Sequence, residues 1–291
     1  MKTKSWGDVL FKNVTLVFSL SIFVLAAAIG WELFTNSQLP MHKFGWSFLW
    51  DKVWDPVVEQ FGALPFIYGT LVSSAIALVI AVPLGLGVAI FLYELAPPKI
   101  GNVIGFLTEL LAAIPSVIYG LIGIFVLVPV MRKAGAPYGV GMLTAGIILS
   151  IMILPFIATI SREIFKTVPQ TLKESAMSMG ATRWEVLWMV TLPFSFSGIL
   201  GSVFLALGRA LGETMAVTMV IGNRPEIMLS LFEPGYTMAA VIANEFTEAT
   251  SDFYVQTLIQ IGLVLFAITI IVNGLARFMI YKLSSKAEVV A

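Results

Sequence analysis

The sequence contains no cysteine and a single histidine, His42, among its 291 residues. Without cysteine there is no disulfide bond, no cysteine-ligated zinc site and no cysteine-bound iron–sulfur cluster. One histidine also excludes a haem that is held by two histidine ligands. Redox chemistry is therefore disfavoured, and we predict no resident metal or cofactor in this chain.

Charged residues are scarce as well. They make up 12% of the chain, whereas 58% of the residues are hydrophobic and the mean hydropathy is +0.95. This composition lies far outside the soluble range and indicates an integral membrane protein surrounded by lipid. The 17 basic and 17 acidic residues give a net charge of zero. Because a basic excess is absent, we predict no nucleic-acid partner.

Six apolar stretches are long enough to cross a membrane. They cover about residues 13–34, 65–95, 103–130, 140–160, 194–222 and 253–283. We therefore predict an all-α integral membrane protein with six transmembrane helices. Its predicted parts are 1–64, a first span with an outer interfacial segment; 65–283, the transmembrane domain; and 284–291, a cytoplasmic tail. The first stretch could be a signal peptide cleaved near Ala28, but its length favours an uncleaved span.

The distribution of Lys and Arg predicts the orientation of the chain. With the N-terminus inside, eleven basic residues face the cytoplasm: Lys2, Lys4, Lys12, Lys99, Arg162, Lys166, Lys173, Arg183, Arg277, Lys282 and Lys286. Five then face outward: Lys43, Lys52, Arg132, Lys133 and Arg224. Since the side with more basic residues is usually inside, we predict that both termini and residues 163–193 are cytoplasmic.

Arg209 is the remaining basic residue. It lies about 15 residues into the fifth predicted span, close to the bilayer centre, where an arginine costs about 2.5–3.5 kcal/mol. Glu213 follows at i,i+4 spacing and is the predicted ion-pair partner. Gly208 and Gly212 form a G-x-x-x-G pattern that lets another helix approach closely. The pair predicts the lining of a substrate pathway, and the alternative is an ion pair that only locks helices together.

Residues 163–193 form the longest polar interruption in the C-terminal half of the chain. Pro169 can open a helix, residues 173–179 permit one, and Gly180 ends it. Five residues followed by Leu192 and Pro193 resemble the loop motif of ABC-importer permeases, which is Glu-Ala-Ala, three residues, Gly and a distal Leu-Pro: Glu174, Ser175, Ala176, Gly180 and Ala181. Ser175 is a small residue in place of the first Ala. The resemblance implies a coupling loop that docks into a cytoplasmic ATPase, and an ordinary amphipathic loop is the alternative.

Three further stretches resemble the PstC-type permeases of bacterial phosphate-specific ABC importers: residues 61–87, 114–129 and 208–223. The resemblance implies a type I ABC-importer permease fold in the bacterial cytoplasmic (inner) membrane. It also implies a PstA-type second permease, a PstB-type ATPase dimer that binds ATP and Mg, and a periplasmic PstS-type phosphate-binding protein. In that family, residues matching Arg209 and Glu213 are associated with phosphate passage.

Two other classes of function remain open at this point. An ion-coupled secondary anion carrier could use Arg209 and Glu213, although the sequence shows no internal repeat of the kind common in carriers. A membrane enzyme has less support, because we find neither a Walker A motif nor a nucleophile with its base. Selection of phosphate over another oxyanion also stays open, since the binding protein largely decides it.

Overall fold

The computed structural model describes residues 6–287, so the predictions for Lys2 and Lys4 and for residues 288–291 of the tail lie outside the described residues. The chain begins with α1 (Trp6–Thr35), α2 (Gln38–Phe44), a 3₁₀ turn (Gly45–Leu49) and an antiparallel ribbon of β1 (Trp54–Asp55) and β2 (Gln60–Phe61). The elements that follow are α3 (Leu64–Ile90), α4 (Pro98–Ala113), α5 (Ser116–Ile122), α6 (Val128–Lys133), α7 (Met142–Lys166), α8 (Gln170–Ser178), α9 (Arg183–Val186), α10 (Leu192–Leu211), α11 (Met215–Val220), α12 (Met238–Glu245) and α13 (Asp252–Ala287).

Three π-helical turns join helices into longer ones. They are Phe91–Leu95 after α3, Gly123–Leu127 between α5 and α6, and Leu187–Thr191 between α9 and α10. With these turns included, six helices within residues 6–287 are long and apolar enough to cross a membrane: Leu10–Thr35, Leu64–Leu95, Ser116–Lys133, Met142–Lys166, Arg183–Leu211 and Asp252–Lys282. The predicted number of six is thereby confirmed by length and composition.

The third predicted span, residues 103–130, has the wrong limits. The chain instead forms α4 and then a separate membrane-length helix that begins at Ser116. Pro115 explains the break, because proline disfavours helical backbone at the residue before it. Ile114 is accordingly extended, with ψ 129°. The hydroxyl of Tyr119 donates to the Leu111 carbonyl at 2.7 Å and holds the two helices together across the break.

The fifth predicted span, residues 194–222, is also displaced. Its helix begins at Arg183 and ends at Leu211. Thr182 and Glu185 start it with a capping box, in which the Thr182 hydroxyl accepts from the Glu185 N–H and the Glu185 carboxylate accepts from the Thr182 N–H. The polar start of this helix therefore lies inside the segment that the sequence assigns to the coupling loop.

α7 is the centre of the helix bundle. In an apolar 18-residue stretch of α7, 61% of the residues are buried, against 28% or less in the corresponding stretch of each of the other five membrane-length helices. α3 and α10 pack along it, and Gly146 of α7 leaves room for Ile76 of α3, whose Cγ2 lies 2.5 Å from where a Cβ would be. α1 is the opposite extreme, because none of the residues in its apolar stretch is buried. It touches α13 where Gly30 faces Phe266, so most of its surface is left for lipid or for another chain.

An aromatic cluster joins the outer segment to the bundle. Phe61 and Phe66 are fully buried beside Trp54, whose ring centroid lies 4.8 Å and 4.7 Å from theirs. The Trp54 indole N–H donates to Glu245 of α12 at 2.9 Å, and the Tyr254 hydroxyl of α13 donates to the same carboxylate. Part of the segment predicted as interfacial is therefore packed against α3, α12 and α13.

Thr70 of α3 binds the first turn of α12, and its replacement by valine tests that link. Its buried hydroxyl oxygen accepts from the Met238 N–H at 3.0 Å. Thr70→Val keeps the side-chain shape but leaves this N–H without a partner. We therefore expect the free energy of unfolding to fall by about 1–3 kcal/mol. Thermal unfolding of the purified protein measures the effect.

Ser73→Ala is the matched control for Thr70→Val. Ser73 is as buried as Thr70, but its hydroxyl donates only within its own helix, to the Gly69 carbonyl at 2.7 Å. Its loss is therefore expected to change the unfolding free energy by less than about 1 kcal/mol. Equal effects of the two substitutions would contradict a specific role for the bond between Thr70 and Met238.

Candidate functional site

The predicted pathway residues lie where the fifth membrane-length helix ends. α10 stops at Leu211, residues 212–214 are not helical, and α11 begins at Met215. An interruption of this kind leaves backbone groups unpaired, so it is tolerated at membrane depth only beside protein or a water-filled cavity. The break between α10 and α11 therefore has the geometry expected at the border of a pathway.

Arg209 lies in the last turn of α10 and not, as predicted, in the middle of an unbroken helix. A positive charge is stabilised at this position because the last carbonyl groups of a helix carry partial negative charge. The guanidinium carbon lies 4.4 Å from the ring centroid of Phe156 on α7, a distance at which a cation–π contact forms. The Arg209 side chain is otherwise exposed in this chain.

The predicted ion pair between Arg209 and Glu213 is not formed. Among residues 6–287, the ion pairs within 4.0 Å join other residues. The Glu213 carboxylate instead accepts a hydrogen bond from the Ala216 N–H in the first turn of α11, at 3.2 Å. The prediction assumed the i,i+4 spacing of a continuous helix, and the end of α10 at Leu211 removes that geometry.

The two glycines of the G-x-x-x-G pattern have different surroundings. A Cβ atom at Gly208 would lie 3.6 Å from the amide oxygen of Asn273, so this glycine borders α13. A Cβ atom at Gly212 would meet only the Gly208 carbonyl of its own helix, at 3.9 Å. Close approach of another helix at Gly212 therefore stays a prediction.

α8 is the short helix that the coupling motif predicts. It starts directly after Pro169 and ends at Ser178, and Gly180 then turns the chain with φ +93°. Most of α8 faces outward, including Glu174 and Ser175, whose hydroxyl donates to the Thr171 carbonyl of the same helix. The helix therefore offers an exposed surface next to a sharp turn.

The other coupling residues lie around that turn. Ala176, Gly180 and Ala181 line a groove of about 460 Å³ that continues to Val186 of α9 and to Met189. Met179 projects beside it and is 85% exposed. The structure thus brings the predicted coupling residues together on one surface, with apolar side chains available for contact.

Two functional candidates escaped the sequence reasoning. Phe156 carries no signal that distinguishes it from other apolar residues of its span, and its contact with Arg209 depends on how α7 and α10 pack. Lys173 counts only as one more cytoplasmic charge in the sequence, yet it is 6% exposed and lies beside Tyr93 and Glu94 in the π-helical turn after α3. No sequence spacing links residues this far apart.

No group of three or more His, Asp or Glu side chains within residues 6–287 is placed to hold a metal ion. The chain matches, over residues 81–285, the family described as binding-protein-dependent transport system inner membrane component. It is 48% identical to the phosphate transport system permease protein PstC of Mesorhizobium japonicum, covering 96% of this chain and 91% of that protein. It is 46% identical to the PstC protein of Haemophilus influenzae, covering 96% and 95% of the two chains.

Solved structures of ABC importers have the same fold. A bacterial alginate ABC transporter in complex with an alginate-bound periplasmic protein matches with a TM-score of 0.62 and 16% identity, covering 95% of this chain and 97% of that one. The inward-facing MetNI methionine ABC transporter matches with a TM-score of 0.58 and 18% identity, covering 76% and 94%. At these identities the likeness shows the fold alone, which is the type I ABC-importer permease fold. The chain therefore belongs to the family of binding-protein-dependent transport system inner membrane components, within its PstC-type group of permeases.

Proposed function

We propose that this chain is a transmembrane subunit of an ATP-driven importer that carries inorganic phosphate inward across the cytoplasmic membrane. The observation that carries the proposal is Arg209, a guanidinium that no carboxylate of the described chain neutralises. A guanidinium presents a planar fork of donors that matches two oxygens of a phosphate, and it stays charged at physiological pH. The names of the PstC relatives support phosphate as the anion.

Arg209 would serve as a transient site, not as a trap. A conducting site must attract its ion and still release it. The Phe156 ring keeps part of the guanidinium occupied without cancelling its charge, so an arriving anion would displace no bound carboxylate. Glu213 would not compete with phosphate for Arg209 in this geometry, because its carboxylate accepts a hydrogen bond from the Ala216 N–H.

The partners of the proposed complex follow from what this chain contains and exposes. Its sequence has no Walker A motif, so a PstB-type ATPase dimer would bind the ATP and Mg. The exposed surface of α8 and the Gly180 turn would dock on that ATPase in the cytoplasm, where both termini would also lie. A PstA-type permease would complete the pathway opposite Arg209, and a periplasmic PstS-type protein would deliver phosphate.

Alternating access would then couple ATP hydrolysis to transport. ATP closes the ATPase dimer and displaces α8, and the membrane helices rock from inward-facing to outward-facing against the loaded binding protein. Hydrolysis resets them. Arg209 would be exposed to each side in turn because it lies at a helix interruption and not deep inside one packed helix.

The experiment is a mild-detergent purification of this chain from its membrane, followed by reconstitution into liposomes with added binding protein. We expect an ATPase and a second permease to co-purify. We also expect phosphate uptake to require ATP on the side of the liposome membrane where the ATPase lies. Sulfate tested in parallel distinguishes phosphate from another oxyanion. Phosphate uptake by the lone chain that follows an ion gradient without ATP would contradict the proposal and favour the secondary carrier.

Phe156→Leu tests how Arg209 is held. A cation–π contact is worth about 0.5–2 kcal/mol, so we expect the KM for phosphate to rise about twofold to thirtyfold while the protein still folds. Phe156→Tyr keeps the ring and is the matched control, with an expected KM near that of the unsubstituted complex. Initial rates of uptake over a range of phosphate concentrations measure both. Equal KM values for the leucine and tyrosine variants would contradict the role of the ring.

A further inference from the structure

One lysine is buried in a helix that is otherwise exposed. Lys173 lies in α8 and is 6% exposed, whereas Leu172 and Met177 of the same helix are 45% and 41% exposed. This order is the reverse of the usual one, since leucine and methionine are usually buried, whereas lysine is rarely buried unless it is paired. The burial of Lys173 therefore calls for a specific partner.

The partners of Lys173 are two consecutive residues in the π-helical turn that follows α3. Its ammonium nitrogen lies 3.5 Å from a carboxylate oxygen of Glu94 and donates to the hydroxyl of Tyr93. The same nitrogen lies 4.2 Å from the centroid of the Tyr93 ring. Glu94 is itself only 22% exposed. Carboxylate, hydroxyl and ring thus surround one cation.

Tyr93 and Glu94 both belong to the π-helical turn Phe91–Leu95. A π turn widens the helix locally and is frequently found at functional sites. The Tyr93 ring also packs on Phe165 of α7, with 5.8 Å between the ring centroids. The Lys173 contact therefore attaches α8 at the point where α3 and α7 meet.

A continuous path of packed helices leads from this contact to Arg209. α3 packs along α7 over most of its length, with Gly146 of α7 against Ile76 of α3. α7 also carries Phe156, whose ring lies under the Arg209 guanidinium. A displacement of the π turn would therefore have a route to Arg209 through packed elements, and such chains of packed side chains can carry coupling between distant sites.

We propose that Lys173 is a positioning residue that transmits the displacement of α8 to α3 through Tyr93 and Glu94. This inference rests on the proposed function, because it assigns a route to the coupling that an ABC importer needs. A buried ion pair suits the task, since losing one partner leaves the other charge unpaired. The contact therefore holds α8 and α3 together when α8 is pushed.

The test compares variants in the complete reconstituted complex with its ATPase. Lys173→Met removes the charge and keeps the length of the side chain, Glu94→Gln removes the opposite charge, and Lys173→Arg keeps the charge. Lys43→Met is the matched control, because Lys43 also lies beside a carboxylate and an aromatic ring, 3.9 Å from Glu59 and 4.3 Å from the Phe253 ring, but its side chain is 47% exposed and remote from α8.

The first measurement is the amount of phosphate imported per ATP hydrolysed. We expect this ratio to fall about tenfold in Lys173→Met and Glu94→Gln, a typical size for coupling between sites, and to be near the unsubstituted value in Lys173→Arg and Lys43→Met. A residue that only stabilised the fold would lower uptake and hydrolysis together and leave the ratio unchanged. An unchanged ratio in both Lys173→Met and Glu94→Gln would overturn the inference.

The second measurement needs no substrate. Hydrogen–deuterium exchange of residues 170–178 and 91–95 is compared with and without ATP. We expect ATP to alter exchange in both segments of the unsubstituted complex, and in residues 170–178 alone when Lys173 is methionine. If ATP changed the exchange of residues 91–95 in that variant as much as in the unsubstituted complex, the inference would be overturned. If the unsubstituted complex imported no phosphate, the proposed function would fail, and the exchange data would still decide the role of Lys173. If Lys173→Met did not assemble, Glu94→Gln would decide both measurements.

Discussion

Replacing Arg209 by alanine is expected to lower ATP-dependent phosphate uptake by the assembled complex at least about tenfold. Hydrogen bonds to charged groups are worth about 1.5–3 kcal/mol, and about 1.4 kcal/mol corresponds to a factor of ten. The chain should still fold, because the Arg209 side chain is exposed and its described contact is the Phe156 ring. Uptake is measured at equal amounts of the protein in the membrane.

Two further substitutions sharpen this result. Arg209→Lys keeps the charge but replaces the planar fork by a single ammonium group, so full uptake in this variant would mean that charge alone suffices. Arg224→Ala is the control, since Arg224 is an exposed arginine already paired with Glu226 at 3.0 Å. Full uptake in Arg209→Ala at normal membrane levels would refute a direct role of Arg209.

The hydrophobic pattern predicts much of the fold because a membrane helix must be long and apolar wherever it packs. The second and sixth predicted spans, 65–95 and 253–283, agree closely with the membrane-length helices Leu64–Leu95 and Asp252–Lys282. The pattern fails where a local backbone event divides an apolar run. Pro115 ends α4 early, although the residues on both sides of it are equally apolar. Hydropathy alone does not register such a break.

The candidate site shows the same division between local and tertiary information. The short helix after Pro169 and the turn at Gly180 follow from the preferences of proline and glycine, and the structure contains both. The pairing of Arg209 with Glu213 does not follow, because it depended on a helix that ends between them. The contacts of Arg209 with Phe156 and of Lys173 with Glu94 arise from helix packing, which no spacing in the sequence encodes.

Replacing Gly180 by valine is expected to lower phosphate uptake about tenfold, since a residue with a Cβ atom pays about 1–2 kcal/mol in left-handed backbone and a β-branched one pays more. Gly180 has φ +93°. No heavy atom of the described residues lies within 4 Å of the position that its Cβ would take, so the cost is in the backbone and not in a clash. Relief of that strain would change the angle between α8 and α9 and displace the surface that we propose contacts the ATPase. Gly180→Ala should have a smaller effect in the same direction.

The control for Gly180 is Gly87 of α3, where a Cβ atom also has no neighbour within 4 Å but the backbone is helical. Gly87→Ala adds the same methyl group as Gly180→Ala, but without backbone strain, and is expected to leave uptake unchanged or to stabilise the helix slightly. ATP hydrolysis stimulated by loaded binding protein is measured together with uptake. If the substitution redirects the turn after α8, we expect Gly180→Val to lose this stimulation while the chain remains in the membrane. Normal stimulation and uptake in Gly180→Val would mean that the left-handed turn is not needed for docking, because a bulky residue would then occupy it without consequence.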